Sequence, residues 1–299
     1  MLKRYLVNSI MPLLVLVTAT STACLLAYLI ALGLDDHSLL RKLITRITQL
    51  LLLLSIFPTM AYLKLNKNDL GFSARSAFLK QVPLGFGLGL LTLMPVFIAL
   101  YLLGINIIDE AQPWTVSLAA KKMFLSLLLG LLIATVEESI FRGMLMAGLK
   151  KHLPIIAAIL ISSTYFAALH FLDSKSQISQ QEFNVFSGFI LLGDAFTNVV
   201  NPKNGSAFLS LLTVGIFLAV LRTQVKESLG LCIGCHACWV WQIKMSGSVF
   251  NTNFGSEYLY LVSSYNNVVG PLVTVWLSLA IIGYFVYKKL RGIYSPRPS

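Results

Sequence analysis

The sequence predicts an all-α fold, a polytopic transmembrane helical bundle of about eight spans. Three observations carry this. Only 12% of the 299 residues are charged, about half the roughly 25% usual in a soluble domain. The chain is 57% hydrophobic, with a mean hydropathy of +0.79. Its apolar residues also gather in successive runs of the ~20 residues that cross a bilayer as a helix.

The first span is expected at about 10–33. It follows Met1-Leu2-Lys3-Arg4, a start that a signal peptide shares, but the apolar region from Ile10 to Leu34 is too long for a cleaved signal core. Ser21-Thr22-Ala23-Cys24 faintly resembles a lipoprotein cleavage box. Apolar residues continue past Cys24, which therefore reads as an ordinary residue of the span. Further spans are expected at 45–63, 82–103, 119–147, 154–172, 206–222, 229–245 and 269–288. In the third, Gly85 and Gly89 are four apart with Gly87 between them, the small-xxx-small spacing of a helix-packing surface. The stretch 173–182 reads as a polar loop. The next segment, 183–200 with Asp194, is too short and too polar in its middle for a span and reads as an interfacial or re-entrant helix. Trp276, Tyr284 and Tyr287 suit lipid contacts and an interface belt, and Lys288-Lys289-Leu290-Arg291 a cytoplasmic anchor. With no repeat and no appended soluble domain, residues 1–299 are expected to form one transmembrane domain, with a catalytic core over 123–242.

The net charge of +11 is what Lys- and Arg-rich cytoplasmic loops produce. The basic residues are dispersed and no Gly-rich phosphate loop is present, so no nucleic-acid partner is expected. With both termini inside, the inner loops collect 15 of the 23 basic residues, among them Lys3, Arg4, Lys64, Lys67, Lys150, Lys151 and Arg297. The outer loops keep eight, including Arg41, Arg46 and Lys175. This asymmetry favours cytoplasmic termini.

The chemistry concentrates in Glu137-Glu138-Ser139-Ile140-Phe141-Arg142, at the end of an apolar run in a chain with only 12 acidic residues. Charged groups in hydrocarbon are costly and usually sit where function needs them. At about 100° per residue, Glu138 and Arg142 share a helix face and can pair. Glu137 points about a quarter-turn away, which leaves its carboxylate for another task. His170 ends the fifth span. Counted from a turn at Lys151-His152, Glu137 lies 15 residues before and His170 18 after, at depths within about 5 Å of each other. His236 lies inside the seventh span, whereas His37 and His152 read as loop residues.

A carboxylate and two imidazoles in a low-dielectric cavity suit water activation. Glu137 would act as general base, and a histidine could donate to the oxyanion of a tetrahedral intermediate. The same three residues, Glu137, His170 and His236, could instead hold a divalent metal such as zinc, and the residues alone leave both open. Cys232-Ile233-Gly234-Cys235-His236 matches the C-x-x-C-H signature of haem attachment, and Cys232, Cys235, Cys238 and His236 a possible zinc site. Both patterns are short, and buried thiols more often serve as small hydrophobes. No cofactor is therefore expected, with zinc left open. A transporter reading would use the intramembrane Glu and His as a proton relay, with Asp194 lining a path. It lacks the paired broken helices of matching halves that such proteins show.

Glu137-Glu138-x-x-x-Arg142, Phe166-x-x-x-His170 and His236 after Ser228-Leu229-Gly230 together resemble the three motifs of the CPBP family. These are the CAAX-protease-like and bacteriocin-processing membrane proteins, also called Abi or Rce1-like glutamic endopeptidases. The resemblance covers about 123–242 and implies an intramembrane endopeptidase. It implies that Glu137 activates water, that Glu138 and Arg142 form a structural pair, that His170 positions water or substrate, and that His236 helps to stabilise the oxyanion. One position departs from the pattern. Val240 stands one turn after His236, where the family usually has Asn or Asp, and it cannot donate a hydrogen bond. Asn251 and Asn253 are the candidate substitutes. The expected partners are a peptide or membrane-protein substrate and the bilayer, and the expected location is a bacterial cytoplasmic membrane. The alternatives are a catalytically silent scaffold or immunity protein and a proton-coupled transporter.

Overall fold

Three quarters of the chain is helical, as a hydrocarbon solvent demands, because a helix pairs its backbone groups within one segment. The computed structural model describes residues 2–34 and 36–292, with side chains from Ser9 onward. Of the charges counted above, Arg297 and the side chains of Lys3 and Arg4 lie outside the described residues. The helices are α1 (Leu2–Gly33), α2 (Leu40–Leu54), α3 (Ile56–Leu63), α4 (Arg75–Leu102), α5 (Val116–Glu138), α6 (Met146–Lys150), α7 (Ile155–Leu169), α8 (Ser187–Val199), α9 (Gly205–Gln224), α10 (Leu229–Val249) and α11 (Pro271–Leu290). Two short strands, β1 (Asn106–Ile108) and β2 (Phe250–Thr252), pair antiparallel with Asn106 opposite Thr252.

Each of the eight expected spans falls on helix, and among the described residues six helical stretches are long and apolar enough to cross a membrane. The fifth, α7, has 15 residues and rises only about 22 Å. The seventh, α10, has 21 residues but carries His236, Gln242, Lys244 and several Gly and Ser, which lower its apolarity. Most of α10 is buried in protein, so it does not need a lipid-compatible surface. The segment expected as an interfacial or re-entrant helix forms α8, 13 residues long.

The backbone divides into two compact units. One comprises the residues up to Phe72 with Val136–Gly205; the other comprises Ser73–Thr135 with the residues from Ser206 onward.

In the first unit, α1 packs along α2, and α8 against both. Tyr165 of α7 donates to the Ser9 carbonyl of α1 at 2.8 Å. Asp194 of α8 organises the loop after α7. Its carboxylate accepts from Ser174 Oγ at 2.6 Å, Lys175 N at 3.0 Å and Ser176 N at 3.2 Å. The Ser174 hydroxyl, followed by the Ser176 donors, holds this carboxyl at about 2, below its ordinary 3.8. Asp194 is thus a loop-holding residue, which explains a carboxylate inside an otherwise apolar short helix. Arg41, at the start of α2, donates to the Ser176 carbonyl of the same loop. At the other end of the α2–α3 stretch, Lys151 donates to the carbonyls of Leu63 and Lys64.

In the second unit, α4 and α10 run side by side at backbone distance. A Cβ at Gly85 would lie 2.2 Å from the Leu231 carbonyl oxygen, one at Gly89 2.7 Å from that of Cys235, and one at Gly234 2.0 Å from that of Val82. The glycine surface expected in the third span is this seam. Polar groups lock it: Trp239 Nε1 donates to Thr92 Oγ1 at 2.9 Å, and Gln242 Nε2 to the Gly89 carbonyl at 3.1 Å.

Candidate active site

The fourth span is not one uniform α-helix. It is α-helical to Glu138, widens into a π-helix over Ser139–Leu145, and resumes as α6. Met146 N–H reaches back five residues to the Phe141 carbonyl, the bond that defines a π turn. Such turns are uncommon and recur at functional sites. Here the widened turn begins directly after the two glutamates. The buried Ser162 hydroxyl of α7 donates to the same Phe141 carbonyl at 3.0 Å and ties the turn to α7.

The two carboxylates have different surroundings. Glu138 is fully buried and receives Arg142 Nη1 at 3.2 Å. Arg142, 1% exposed, lies over the Phe166 ring of α7 at 4.3 Å and near the Phe141 ring at 5.9 Å. A weakly hydrated, planar guanidinium suits such burial between a carboxylate and aromatic faces. Glu137 is half-buried and faces a cavity of about 210 Å³.

His170 lines the same cavity. It caps α7 just past its last turn, with Nδ1 2.7 Å from the Phe166 carbonyl oxygen. A carbonyl oxygen only accepts, so Nδ1 carries the proton of that bond. In the neutral ring Nε2 is then the acceptor nitrogen. Phe166 therefore links the pair to the histidine: its ring carries Arg142, its carbonyl orients His170, and its ring lies 4.6 Å from the imidazole. Arg41, Asp173 and Ser174 also line the cavity, which places it toward the end of the unit where Arg41 holds the Ser176 loop. A larger, mostly apolar cavity of about 870 Å³ adjoins it. Leu16, Leu52, Ile140, Phe141 and Leu169 line both.

His236 belongs to the second unit, buried in the middle of α10. Val240 follows one turn later. Neither asparagine considered as its substitute lies near it along the chain. Asn251 is in β2, opposite Ile107, and Asn253 donates to the Gly104 carbonyl at 3.1 Å and accepts from Gly255 N. Both lie beyond the end of α10, about 20 Å from His236 by helix rise. That expectation is corrected: Asn251 lies in the β1–β2 ladder and Asn253 just after it, against Gly104.

The cysteines of α10 are buried thiols outside any disulfide; Cys232 Sγ donates to the Leu218 carbonyl at 3.5 Å, and Cys238 Sγ accepts from Gln242 Nε2 at 3.3 Å. Cys235 and Cys238 sit on the glycine seam with α4, where helix backbones touch and no macrocycle fits beside the C-x-x-C-H stretch. Among the described residues, no group of three or more His, Cys, Asp or Glu is placed to hold a metal ion. Glu137 and His170 Nε2 would supply a carboxylate and an imidazole to one.

The sequence reading missed part of the cavity wall. Arg41, Thr45, Thr48 and Gln49 of α2 all line it. Their spacing of four, three and one puts them on one helix face, a polar stripe in a helix that also carries Lys42 and Arg46.

Residues 119–242 match the family model of the type II CAAX prenyl endopeptidase Rce1-like proteins. No curated protein and no solved structure matches the chain. The Rce1-like match agrees with the motif resemblance and supports an intramembrane protease at the family level. With the apolar helices, it identifies an integral membrane protein. The matched stretch contains Glu137, Glu138, Arg142, His170 and His236. The α2 wall of the cavity lies outside it.

Proposed function

We propose that the protein is an intramembrane endopeptidase that hydrolyses a peptide bond with water activated by Glu137. The observation that carries this reading is that Glu137 and His170 line one cavity, while the neighbouring Glu138 is committed to Arg142. At about 210 Å³, the cavity has room for water and a short piece of backbone.

In this mechanism Glu137 takes a proton from water as the water oxygen attacks the scissile carbonyl carbon. His170, whose Nδ1 is engaged by the Phe166 carbonyl, accepts the second water proton as a hydrogen bond at Nε2 and so orients the attack. A neutral ring in this tautomer cannot also donate at Nε2, so the oxyanion needs donors from elsewhere. The motif resemblance implies that role for His236. As the tetrahedral intermediate collapses, the C–N bond breaks and Glu137 returns its proton to the leaving amine. Glu138 and Arg142 hold the widened turn and, through Phe166, the histidine. Both act as positioning residues. The adjoining apolar cavity suits a substrate with an apolar segment near the scissile bond, such as a membrane-inserted peptide. A bacterial cytoplasmic membrane with both termini on the cytoplasmic side completes the reading.

The test is N-terminal peptide profiling of membranes from cells carrying wild type or Glu137→Gln at equal folded protein. N-termini that appear only with wild type are expected, and they name the substrate. Identical profiles would overturn the peptidase reading. They would favour a catalytically silent scaffold, the second reading, for which Val240 is the specific support. The proton-coupled transporter has less support, because Asp194 is occupied by its loop.

A further inference from the structure

We propose that Thr48 is a catalytic hydrogen-bond donor of this cavity, giving its hydroxyl to the substrate carbonyl oxygen as the oxyanion forms. The inference rests on the peptidase reading and supplies a donor that Val240 lacks.

Three threonines line the cavity: Thr20, Thr45 and Thr48. A threonine inside a helix ordinarily turns its hydroxyl back to a carbonyl of the preceding turn. Two of the three do so. Thr20 Oγ1 donates to the Leu16 carbonyl at 2.9 Å, and Thr45 Oγ1 to that of Arg41 at 3.0 Å. The same closure occurs at Thr18, Thr22, Thr92 and Thr135. Thr48 differs. It is 9% exposed, and its Oγ1 is buried with no hydrogen-bond partner among the described residues. Burying a hydroxyl without a partner is costly, and a backbone acceptor lies one turn away, as for its neighbours. A hydroxyl kept from that acceptor in the wall that also carries Glu137 and His170 is available to a group entering the cavity. In the neutral ring with Nδ1 held by the Phe166 carbonyl, Nε2 only accepts, so the oxyanion needs another donor, and the Thr48 hydroxyl is one. Arg41, also in the wall, gives its Nη2 to the Ser176 carbonyl.

The step adds no co-reactant. As water oxygen bonds to the carbonyl carbon, the C=O electron pair moves onto oxygen, and Thr48 O–H hydrogen-bonds that oxygen without transferring its proton. The bond strengthens only as charge develops, so its loss should lower the turnover rate and barely alter substrate binding.

The experiment compares wild type, Thr48→Val, Thr48→Ser and Glu137→Gln in membranes at equal folded protein. One readout is the rate at which Glu137-dependent N-termini accumulate. The other is the melting temperature of each purified full chain in detergent. Thr48→Val, which keeps the shape, should slow accumulation on the order of 10²-fold, as loss of one oxyanion donor does. Thr48→Ser should stay within a few-fold of wild type. Thr48→Val should also melt at or above wild type, since it removes a buried polar group that has no partner. Accumulation at the wild-type rate in Thr48→Val, or a melting temperature clearly below wild type, would overturn the proposal, the latter by assigning the hydroxyl a structural role. Wild-type N-termini in Glu137→Gln would instead remove the peptidase reading itself.

Discussion

Adjacent Glu137 and Glu138 meet different surroundings because one residue of helix turns the side chain by about 100°. Glu138 goes into a dry layer with Arg142 and Phe166, and Glu137 to the cavity wall. Removing one partner of a buried ion pair leaves the other charge uncompensated, at a cost on the order of 3–5 kcal/mol. Glu138→Gln should therefore lower the melting temperature and the yield of folded protein, whereas Glu137→Gln should fold normally and lose only cleavage. Size-exclusion yield and thermal melting in detergent separate the two outcomes. The Glu138–Arg142 pair was legible in the sequence, since an i,i+4 pairing is a property of one helix. The hydroxyl of Thr48 was not, because a threonine in an apolar span looks the same whether it bonds its own helix or faces a cavity. Only the surrounding α1, α7 and π-turn residues show which.

Among the helices, α4 and α10 show what glycine does in a membrane bundle. The hydrophobic effect gives no drive between helices in lipid, so close van der Waals packing has to hold them. Gly85, Gly89 and Gly234 permit backbone contact, and Trp239 and Gln242 close it with hydrogen bonds. Gly234→Ala would push a methyl group to 2.0 Å from the Val82 carbonyl. The helices must then separate, at a cost of about 1–3 kcal/mol or more. The expected result is a lower melting temperature, with a larger drop than for Gly87→Ala, where a Cβ meets nothing within 4 Å. The glycine spacing announced a seam, and the identity of its partner came from the fold. The π turn had no sequence signal. Its wide geometry depends on donors such as Ser162, which comes from another helix.

For the molecule as a whole, the decisive arrangement is which loops share an end. Arg41 joins the loop at Ser176, and Lys151 joins the end of α3. The α2–α3 stretch, 27 residues from His37 to Leu63 with its lead-in turn, separates the two. A cysteine at Ser176 and one at Lys151 should thus react with a membrane-impermeant thiol reagent from opposite faces. The native thiols, all buried, should give little background. Labelling of both from one side would refute this topology. With the termini on the cytoplasmic side, as proposed, the cysteine at Lys151 is the one expected to react from the cytoplasmic face.

The sequence by itself determined the membrane class, the helical segments, the Glu138–Arg142 pairing and the matched depths of Glu137 and His170. Each of these follows from composition or from the period and rise of a single helix, which the chain carries locally. Tertiary structure alone decided the widening of the fourth span after Glu138, the burial of α10 against α4 and the β1–β2 ladder that claims Asn251. It also decided the cavity wall that α2 presents to Glu137. These depend on which distant segments meet, and a helix face encodes that it will pack but not against what.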